Sequence, residues 1–174
     1  MITKALKIAT EAHDGQVRKY TSEPYIFHPI RVYEILRKHG IEDEDTLVAA
    51  ILHDVVEDTS VTLDDIEANF NASVALLVDK CTQVSIRQEK SLSRTEKWRM
   101  NAKHYASGCE KVHNIKMADM IDNCDGMWHL DEKFAKVYME EKYKLARLLN
   151  KRKDSLYAHW LEIEIKYYRW FKLA

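Results

Sequence analysis

Apolar residues recur every three or four positions along most of the chain, which is the spacing of helices with one buried face. Ile2, Leu6 and Ala9 begin this pattern. It predicts helices, in chain order, over residues 2–13, from His28 to His39, from Thr46 to Asp58, from a start at Thr62, over Ala72–Cys81, over Trp98–Tyr105, over a segment ending near Asn123, over Lys133–Asn150 and over Ser155–Leu173.

Two polar segments between these helices are expected to be loops. Residues 14–27 contain Glu23-Pro24, and the proline disfavours helix at Glu23. Residues 82–96 indicate a surface loop or a poorly packed short helix. With 4 Gly and 2 Pro, the chain lacks the turns that a many-stranded sheet needs. The sequence therefore predicts an all-α fold, with one helical domain of roughly eight or nine helices over residues 1–174.

The most apolar stretch of the chain, Leu47 to Leu52, leads directly into His53-Asp54-Val55-Val56-Glu57-Asp58. A helix that is apolar on all sides is buried in the core. Ionisable side chains at the end of a buried helix are costly, because a buried charge must be paired or must coordinate a metal. On a continuous helix, each member of the His53-Asp54 pair would lie one turn below one of the two acids.

An adjacent histidine and aspartate can supply one nitrogen and one oxygen to the same divalent ion, a pair that suits Mn, Fe, Zn or Co better than Ca or Mg. Two ligands cannot complete a site, so others must come from elsewhere. His28 begins a predicted helix in an apolar run, and Asp119 interrupts another apolar helix. Together with His53 and Asp54, they would leave positions open for water and substrate, as a catalytic metal requires.

Composition and charge narrow the classes of protein that fit. The 174 residues carry a formal net charge of −1, whereas general nucleic-acid binders have a basic excess. No apolar run approaches the ~20 residues that cross a bilayer, and the N-terminus lacks the apolar core of a signal peptide. The 3 cysteines form no CxxC pair, which favours reduced thiols. We therefore expect a cytoplasmic protein with neither nucleic acid nor membrane as a partner.

Four blocks of residues, in this order, resemble the HD-domain hydrolases of the RelA/SpoT type, and among them the small stand-alone alarmone hydrolases. The blocks are Ala12-His13-Asp14-Gly15-Gln16-Val17-Arg18-Lys19, Glu23-Pro24-Tyr25-Ile26-Phe27-His28-Pro29, Leu52-His53-Asp54-Val55-Val56-Glu57-Asp58-Thr59, and Lys116-Met117-Ala118-Asp119 with Asn123. A histidine-aspartate pair alone is a weak signal, whereas four blocks with plausible spacing form a specific one.

The resemblance implies a role for each polar residue of these blocks. The residues that match the family's ligands to one divalent metal ion, usually manganese, are His28, His53, Asp54 and Asp119. Glu57 and Asp58 match the acidic pair that positions and activates the attacking water. Arg18 and Lys19 match a basic pair that lines the nucleotide pocket, and Asn123 matches a residue that contacts the nucleotide. The family reaction removes pyrophosphate from the 3′ position of guanosine tetraphosphate or pentaphosphate.

Three positions depart from the family pattern. Tyr20 stands where bacterial members often have Ser or Thr, Met120 where a basic residue is common, and Asp122 where His or Tyr is common. A pocket with one base fewer and one acid more would bind a highly charged alarmone less tightly. A phosphatase of another nucleotide, such as NADPH or a nucleoside phosphate, is therefore one alternative, and a non-catalytic nucleotide-binding sensor is another.

The predicted metal ligands also have ordinary structural interpretations. The His53-Asp54 pair and His28 could each cap a helix. Asp119 could be the acid of a buried ion pair. The functional interpretation is favoured because the four blocks occur together and in order.

The other predicted site residues, and one apolar stripe, carry similar alternatives. Glu57-Asp58 could be ordinary helix-end acids, although the helix dipole disfavours acids there. Arg18-Lys19 could be exposed loop charges, and Asn123 could be a helix C-cap. The stripe of the last helix is expected to be core, with a homodimer interface as the alternative. Its residues are Trp160, Ile163, Tyr167, Trp170 and Phe171.

Overall fold

The computed structural model describes residues 1–87, 91–149 and 154–173. Within these ranges the helices are α1 (Ile2–Ala12), α2 (Phe27–Lys38), α3 (Glu44–Leu52), α4 (Val55–Asp58), α5 (Leu63–Asn69), α6 (Ala72–Cys81), α7 (Arg94–Ala106), α8 (Glu110–Cys124), α9 (Glu132–Leu149) and α10 (Ser155–Leu173). Two 3₁₀ turns cover Val84–Arg87 and Met127–His129. Helix α4 has four residues and each of the others at least seven. The predicted all-α fold is confirmed.

Helices α3 and α8 form the centre of the core. The side chains of α3 from Thr46 to Leu52 are all buried, and the helix packs against α1, α2, α6 and α8. Helix α8 is buried from Ile115 to Ile121 and packs against α2, α6 and α10. The two most deeply buried helices therefore lie in contact, and predicted site residues lie on α8 and directly after α3.

The predicted continuous helix from Thr46 to Asp58 is wrong. Helix α3 ends at Leu52, and the short α4 begins at Val55. Neighbouring side chains on an unbroken helix project about 100° apart. The turn at His53-Asp54 instead brings the imidazole Nε2 within 3.1 Å of the carboxylate Oδ2. The break therefore lets two adjacent residues face the same point.

The described part of residues 82–96 contains the 3₁₀ turn Val84–Arg87 and the first residues of α7. Helix α7 begins at Arg94 rather than near Trp98. Ser93 accepts a hydrogen bond from the backbone N–H of Glu96, whose carboxylate accepts one from the Ser93 backbone. This capping box stabilises the first turn through polar contacts, so apolar spacing alone does not reveal it.

The predicted loop between α1 and α2 is confirmed, and its backbone is held by hydrogen bonds. The N–H of Arg18 donates to the carbonyl of Glu23 at 2.9 Å, and the N–H of Tyr25 donates to the carbonyl of Gln16 at 2.9 Å. One isolated bridge joins this loop's two sides at residues 17 and 24. The loop therefore carries Arg18 and Tyr25 in defined positions.

The apolar stripe of α10 is core at its centre, as predicted. Trp160 and Ile163 are buried, Tyr167 and Phe171 pack against the core, and Trp170 is 40% exposed. Among the described residues, no helix has both the length and the apolar composition needed to span a bilayer. Residues 88–90 of the predicted loop and Asn150, the predicted end of α9, lie outside the described ranges. One domain over 1–174 stays a prediction.

Candidate active site

The four side chains predicted as metal ligands converge on one point. They come from α2, from the turn after α3 and from α8. Single ligand atoms of His28, His53 and Asp119 all lie within 4.8 Å of one another. Asp54 Oδ2 lies 3.1 Å from His53 Nε2 and 3.5 Å from His28 Nε2. The structure thus brings together all four predicted residues, while their role as ligands stays a prediction.

Both histidines present an unpartnered nitrogen to this point. His53 Nδ1 lies 2.8 Å from the carbonyl of Ala50, and His28 Nδ1 lies 2.6 Å from Asp122 Oδ2. In the neutral ring that carries its proton on Nδ1, these oxygens accept a hydrogen bond from the N–H, and the lone pair lies on Nε2. The Nε2 atoms of both rings are buried and lack a hydrogen-bond partner. Two imidazole lone pairs beside two carboxylates form a donor set that fits a divalent transition metal.

The electrostatics of the cluster favour a positive charge at its centre. Burial alone would lower the pKa of His28, but the carboxylates of Asp119, Asp122 and Asp54 raise it to about 10. Burial of His53 is likewise outweighed by its acidic neighbours, so that its pKa rises to about 9. The cluster therefore binds either protons or a cation, and a metal that replaces the protons would release them.

Asp119 uses its two carboxylate oxygens differently. Oδ2 lies 2.6 Å from Lys116 Nζ, and both side chains are buried. Oδ1 lies 3.3 Å from His28 Nε2 and accepts a hydrogen bond from Asn123 Nδ2 at 2.5 Å. The ion-pair interpretation therefore holds for one oxygen, while the other faces the histidines. Lys116 was not predicted, although its place three residues before Asp119 on a helix could have indicated the pair.

The acidic pair lies beside the predicted metal ligands. Glu57 and Asp58 line a cavity of about 600 Å³ together with Asp54 and Asp119. Gln83 orients Glu57, since its backbone N–H donates to Oε2 at 2.9 Å and its side-chain amide donates to Oε1. Burial raises the pKa of Glu57 and of Asp58. Both carboxylates are therefore stronger bases than exposed ones.

Tyr25 links one predicted ligand to the acidic pair. Its hydroxyl lies 2.7 Å from Asp54 Oδ2 and 3.3 Å from Asp58 Oδ2, so it can donate to either carboxylate. The contact spans from the first loop to the turn before α4. Tyr25 was not among the predicted site residues, because a tyrosine in an apolar run carries no local signal of a polar contact.

The predicted nucleotide-contacting residues line a second cavity, of about 620 Å³. Arg18 Nη2 donates to Asn123 Oδ1 at 2.8 Å. Lys19 lines the same cavity, and its Nζ lies 4.8 Å from the centre of the Tyr20 ring. Because Asn123 also contacts Asp119, one side chain joins the basic cavity to the predicted metal ligands.

The two cavities share part of their walls, and the one with the acids also contains bases. The shared residues are Tyr25, Asn123, Phe134 and Tyr138. Arg94, Lys97 and Lys142 line the acidic cavity and were not among the predicted site residues. Arg94 is paired with Glu141 at 2.8 Å, whereas Lys97 and Lys142 add positive charge to a pocket that lacks a base at Met120.

Asp122 is not the free acid that its departure from the family pattern suggested. Its side chain is 7% exposed, and it contacts His28 and Arg31. Arg31 Nε donates to Asp122 Oδ1 at 2.5 Å, and the two Nη atoms of Arg31 donate to the Glu23 carboxylate at 3.1 and 2.7 Å. The charge of Asp122 is therefore compensated within the protein rather than presented to a ligand.

The chain is similar in sequence and in fold to known hydrolases. Residues 5–123 match the sequence profile of the HD domain. The guanosine-3′,5′-bis(diphosphate) 3′-pyrophosphohydrolase MESH1 of Xenopus tropicalis is 37% identical over 125 residues, which are 71% of this chain and 67% of that protein. A solved structure of a metazoan ortholog of SpoT that hydrolyses ppGpp matches with a TM-score of 0.85 at 29% identity, over 95% of this chain and 94% of that one.

A longer relative matches equally well over part of its length. The guanosine-3′,5′-bis(diphosphate) 3′-pyrophosphohydrolase of Aquifex aeolicus is 37% identical over 143 residues, which are 82% of this chain. This chain spans 19% of that protein. The resemblance indicated by the four sequence blocks is confirmed: the chain belongs to the HD domain family, and its relatives include hydrolases of the RelA/SpoT type.

Proposed function

We propose that this chain is a metal-dependent phosphohydrolase that releases pyrophosphate from the 3′ position of guanosine 3′,5′-bis(diphosphate). The observation that carries the proposal is the pair of unpartnered Nε2 atoms of His28 and His53, which lie beside two carboxylates at the wall of a cavity lined by Glu57. The names of the relatives in Xenopus tropicalis and Aquifex aeolicus support the substrate.

His28, His53, Asp54 and Asp119 would hold one divalent ion, for which we propose manganese. When bound, such an ion supplies a Lewis acid that lowers the pKa of water and polarises a phosphoryl oxygen. His53 and Asp119 are buried in the core, and packing of this kind holds ligand side chains in one arrangement.

Glu57 and Asp58 are the residues assigned to proton transfer. The two hydrogen bonds from Gln83 hold both oxygens of Glu57, and burial raises its pKa, so it can accept a proton from the attacking water. Water adds to the phosphorus next to O3′, and the bond between that phosphorus and O3′ breaks. The products are GDP and pyrophosphate, and the O3′ atom takes up a proton as it leaves.

The basic residues of both cavities are assigned to substrate binding. Arg18 and Lys19 can offset charge on phosphate oxygens, and a guanidinium can also stack on a purine. Lys97 and Lys142 add positive charge on the side of the acids. The shared aromatic wall is suited to a base that lies between the two cavities, because rings stack on nucleobases irrespective of their hydrogen-bonding pattern.

A substrate panel tests the proposal. Full-length protein loaded with Mn²⁺ is incubated with a mixture of guanosine 3′,5′-bis(diphosphate), NADPH and nucleoside phosphates, and the products are identified by mass spectrometry. We expect GDP and pyrophosphate. Orthophosphate from another nucleotide would favour a different phosphatase, and tight binding of the guanosine nucleotide without turnover would favour a sensor.

The remaining predictions concern the protein's surroundings. A cytoplasmic location, a homodimer and the absence of nucleic-acid partners stay predictions. The reduced state expected for the cysteines supports a cytoplasmic location. The net charge of −1 supports the absence of nucleic-acid partners.

A further inference from the structure

One buried carboxylate lies behind the predicted metal ligands without facing their common point. Asp122 follows Asp119 by one turn of α8, and its Oδ2 lies 2.6 Å from His28 Nδ1. The other oxygen, Oδ1, accepts a hydrogen bond from Arg31 Nε at 2.5 Å. Arg31 in turn donates twice to Glu23. Asp122 thus contacts Arg31 on one side and the imidazole of the predicted ligand His28 on the other.

We propose that Asp122 is a positioning residue for the metal, and that it fixes His28 with the proton on Nδ1 and the lone pair of Nε2 directed at the metal. The inference rests on the metal site of the proposed function and not on the identity of the nucleotide. It gives a role to the aspartate that stands where the resembling family commonly has His or Tyr.

The two histidine ligands have outer partners of different charge. His53 Nδ1 is held by a neutral backbone carbonyl, that of Ala50, at 2.8 Å. His28 Nδ1 is held by a carboxylate, which makes the imidazole a more basic ligand than a carbonyl does. His28 is therefore expected to be the stronger nitrogen ligand, and this difference depends on the charge of Asp122.

Arg31 compensates the negative charge of Asp122, which lies in a buried position. A buried carboxylate is costly unless it is paired and hydrogen-bonded. The guanidinium supplies the pairing charge: its Nε donates to Oδ1, and its Nη2 lies 3.4 Å from Oδ2, the oxygen that contacts His28. The pair from Arg31 to Glu23 fixes the guanidinium in turn. Glu23 therefore orients Arg31, Arg31 orients Asp122, and Asp122 contacts the predicted ligand His28.

The test measures Mn²⁺ affinity of the full-length protein, with the EPR signal of free Mn²⁺ as the readout and no nucleotide present. We expect Asp122→Asn to weaken Mn²⁺ binding by about 10–100-fold, as loss of an outer-shell partner does in other metal sites. Glu34→Gln is the matched control, because it removes one negative charge from an exposed position of the same helix as His28, outside the contacts that join Glu23, Arg31 and Asp122. Its Kd for Mn²⁺ is expected to equal that of the wild type.

A spectroscopic signature separates positioning from a general loss of structure. In the Co²⁺-loaded wild type, the proton on His28 Nδ1 is expected to give a paramagnetically shifted NMR resonance that exchanges slowly. Asp122→Asn should move this resonance or speed its exchange. Glu34→Gln should leave it in place.

The outcomes are distinguishable. Equal Mn²⁺ affinity in the wild type and Asp122→Asn would overturn the inference while leaving the proposed function intact. A wild type that binds no Mn²⁺ would overturn both. If Asp122→Asn does not fold by circular dichroism, Arg31→Gln decides, because it removes the group that orients Asp122. Weaker Mn²⁺ binding by that variant supports the inference, and unchanged binding overturns it.

Discussion

His28 Nε2 lies 3.3 Å from Asp119 Oδ1, although five other helices separate α2 from α8 along the chain. Packing of α2 against α8 produces this contact. Both side chains are buried, so their polar atoms have little access to water as a substitute partner. The four predicted ligands are therefore expected to form a binding site only in the folded chain, and to bind a metal together.

Asp54→Ala is expected to lose both the metal and the activity. Asp54 Oδ2 faces both histidines, so its removal takes away one ligand and part of the negative charge that attracts a cation. The loss of affinity should exceed the roughly 10–100-fold that loss of an outer partner costs. Elemental analysis of the purified variant measures this. An Asp54→Ala protein that is still metal-loaded and active would show that the ligand set is wrong, and the exposed Asp64→Ala serves as the control.

Glu57→Gln is expected to keep the metal and to lose turnover. The substitution preserves the shape of the side chain but removes the carboxylate that accepts a proton, and general-base catalysis contributes about 10²–10⁴-fold. Steady-state kinetics with metal-loaded protein should show a lower kcat and little change in KM. The exposed Glu67→Gln on α5 should behave like the wild type. An unchanged kcat in Glu57→Gln would exclude this residue as the base.

Arg18→Gln is expected to weaken substrate binding. The guanidinium lines the basic cavity and donates to Asn123. A hydrogen bond to a charged group contributes about 1.5–3 kcal/mol, so kcat/KM should fall by roughly 10–100-fold, mostly through KM. Arg99→Gln removes an exposed arginine of α7 that lines neither cavity and provides the control. A fall in kcat with unchanged KM would instead indicate a role in the transition state.

Removal of the metal is expected to destabilise the fold. Without a cation, the buried carboxylates of Asp54 and Asp119 depend on protons and on Lys116 for compensation. Free Mn²⁺ at 100 times its Kd should stabilise the native state by about 2.7 kcal/mol, which is roughly 5–10 °C in Tm for a chain of this size. Thermal melts with chelator and with Mn²⁺ measure the difference. Identical melting temperatures would argue against a metal at this site.

Asp43→Ala is expected to destabilise the protein at neutral pH and less so in acid. Asp43 caps α3, and hydrogen bonds from Thr46 and Lys111 lower its pKa to about 2. A lowered pKa means that the stabilisation is present above the unfolded value of about 3.9 and is lost as the pH falls toward 2.

The difference between Asp43→Ala and the wild type should therefore be about 1 kcal/mol at pH 7. It should shrink as the pH drops below about 4. Urea unfolding of both proteins between pH 7 and pH 3 measures it. A difference that stays constant over this range would show that the capping charge does not account for the effect.

Local patterns in the sequence predict most of the helices and identify the four side chains that meet at the candidate site. Helix α10 covers Ser155–Leu173 as predicted, because apolar spacing is a property of residues close together in the chain. His28 and Asp119 were recognised as polar residues inside apolar runs, and each is buried at the predicted site. Because burial of a polar group is costly, a polar residue within an apolar run indicates a special role even before the fold is known.

Packing between helices determines how these residues are oriented and which groups compensate their charges. The helix breaks at His53-Asp54, where no glycine or proline marks a break in the sequence, and the partner of Asp122 is Arg31 of another helix. Lys97 and Lys142 enter the acidic cavity from α7 and α9. Such contacts join residues that are distant in the chain, so the spacing of apolar and polar residues along the sequence does not predict them. Local propensity predicts the helices, whereas packing between helices determines what each polar atom faces.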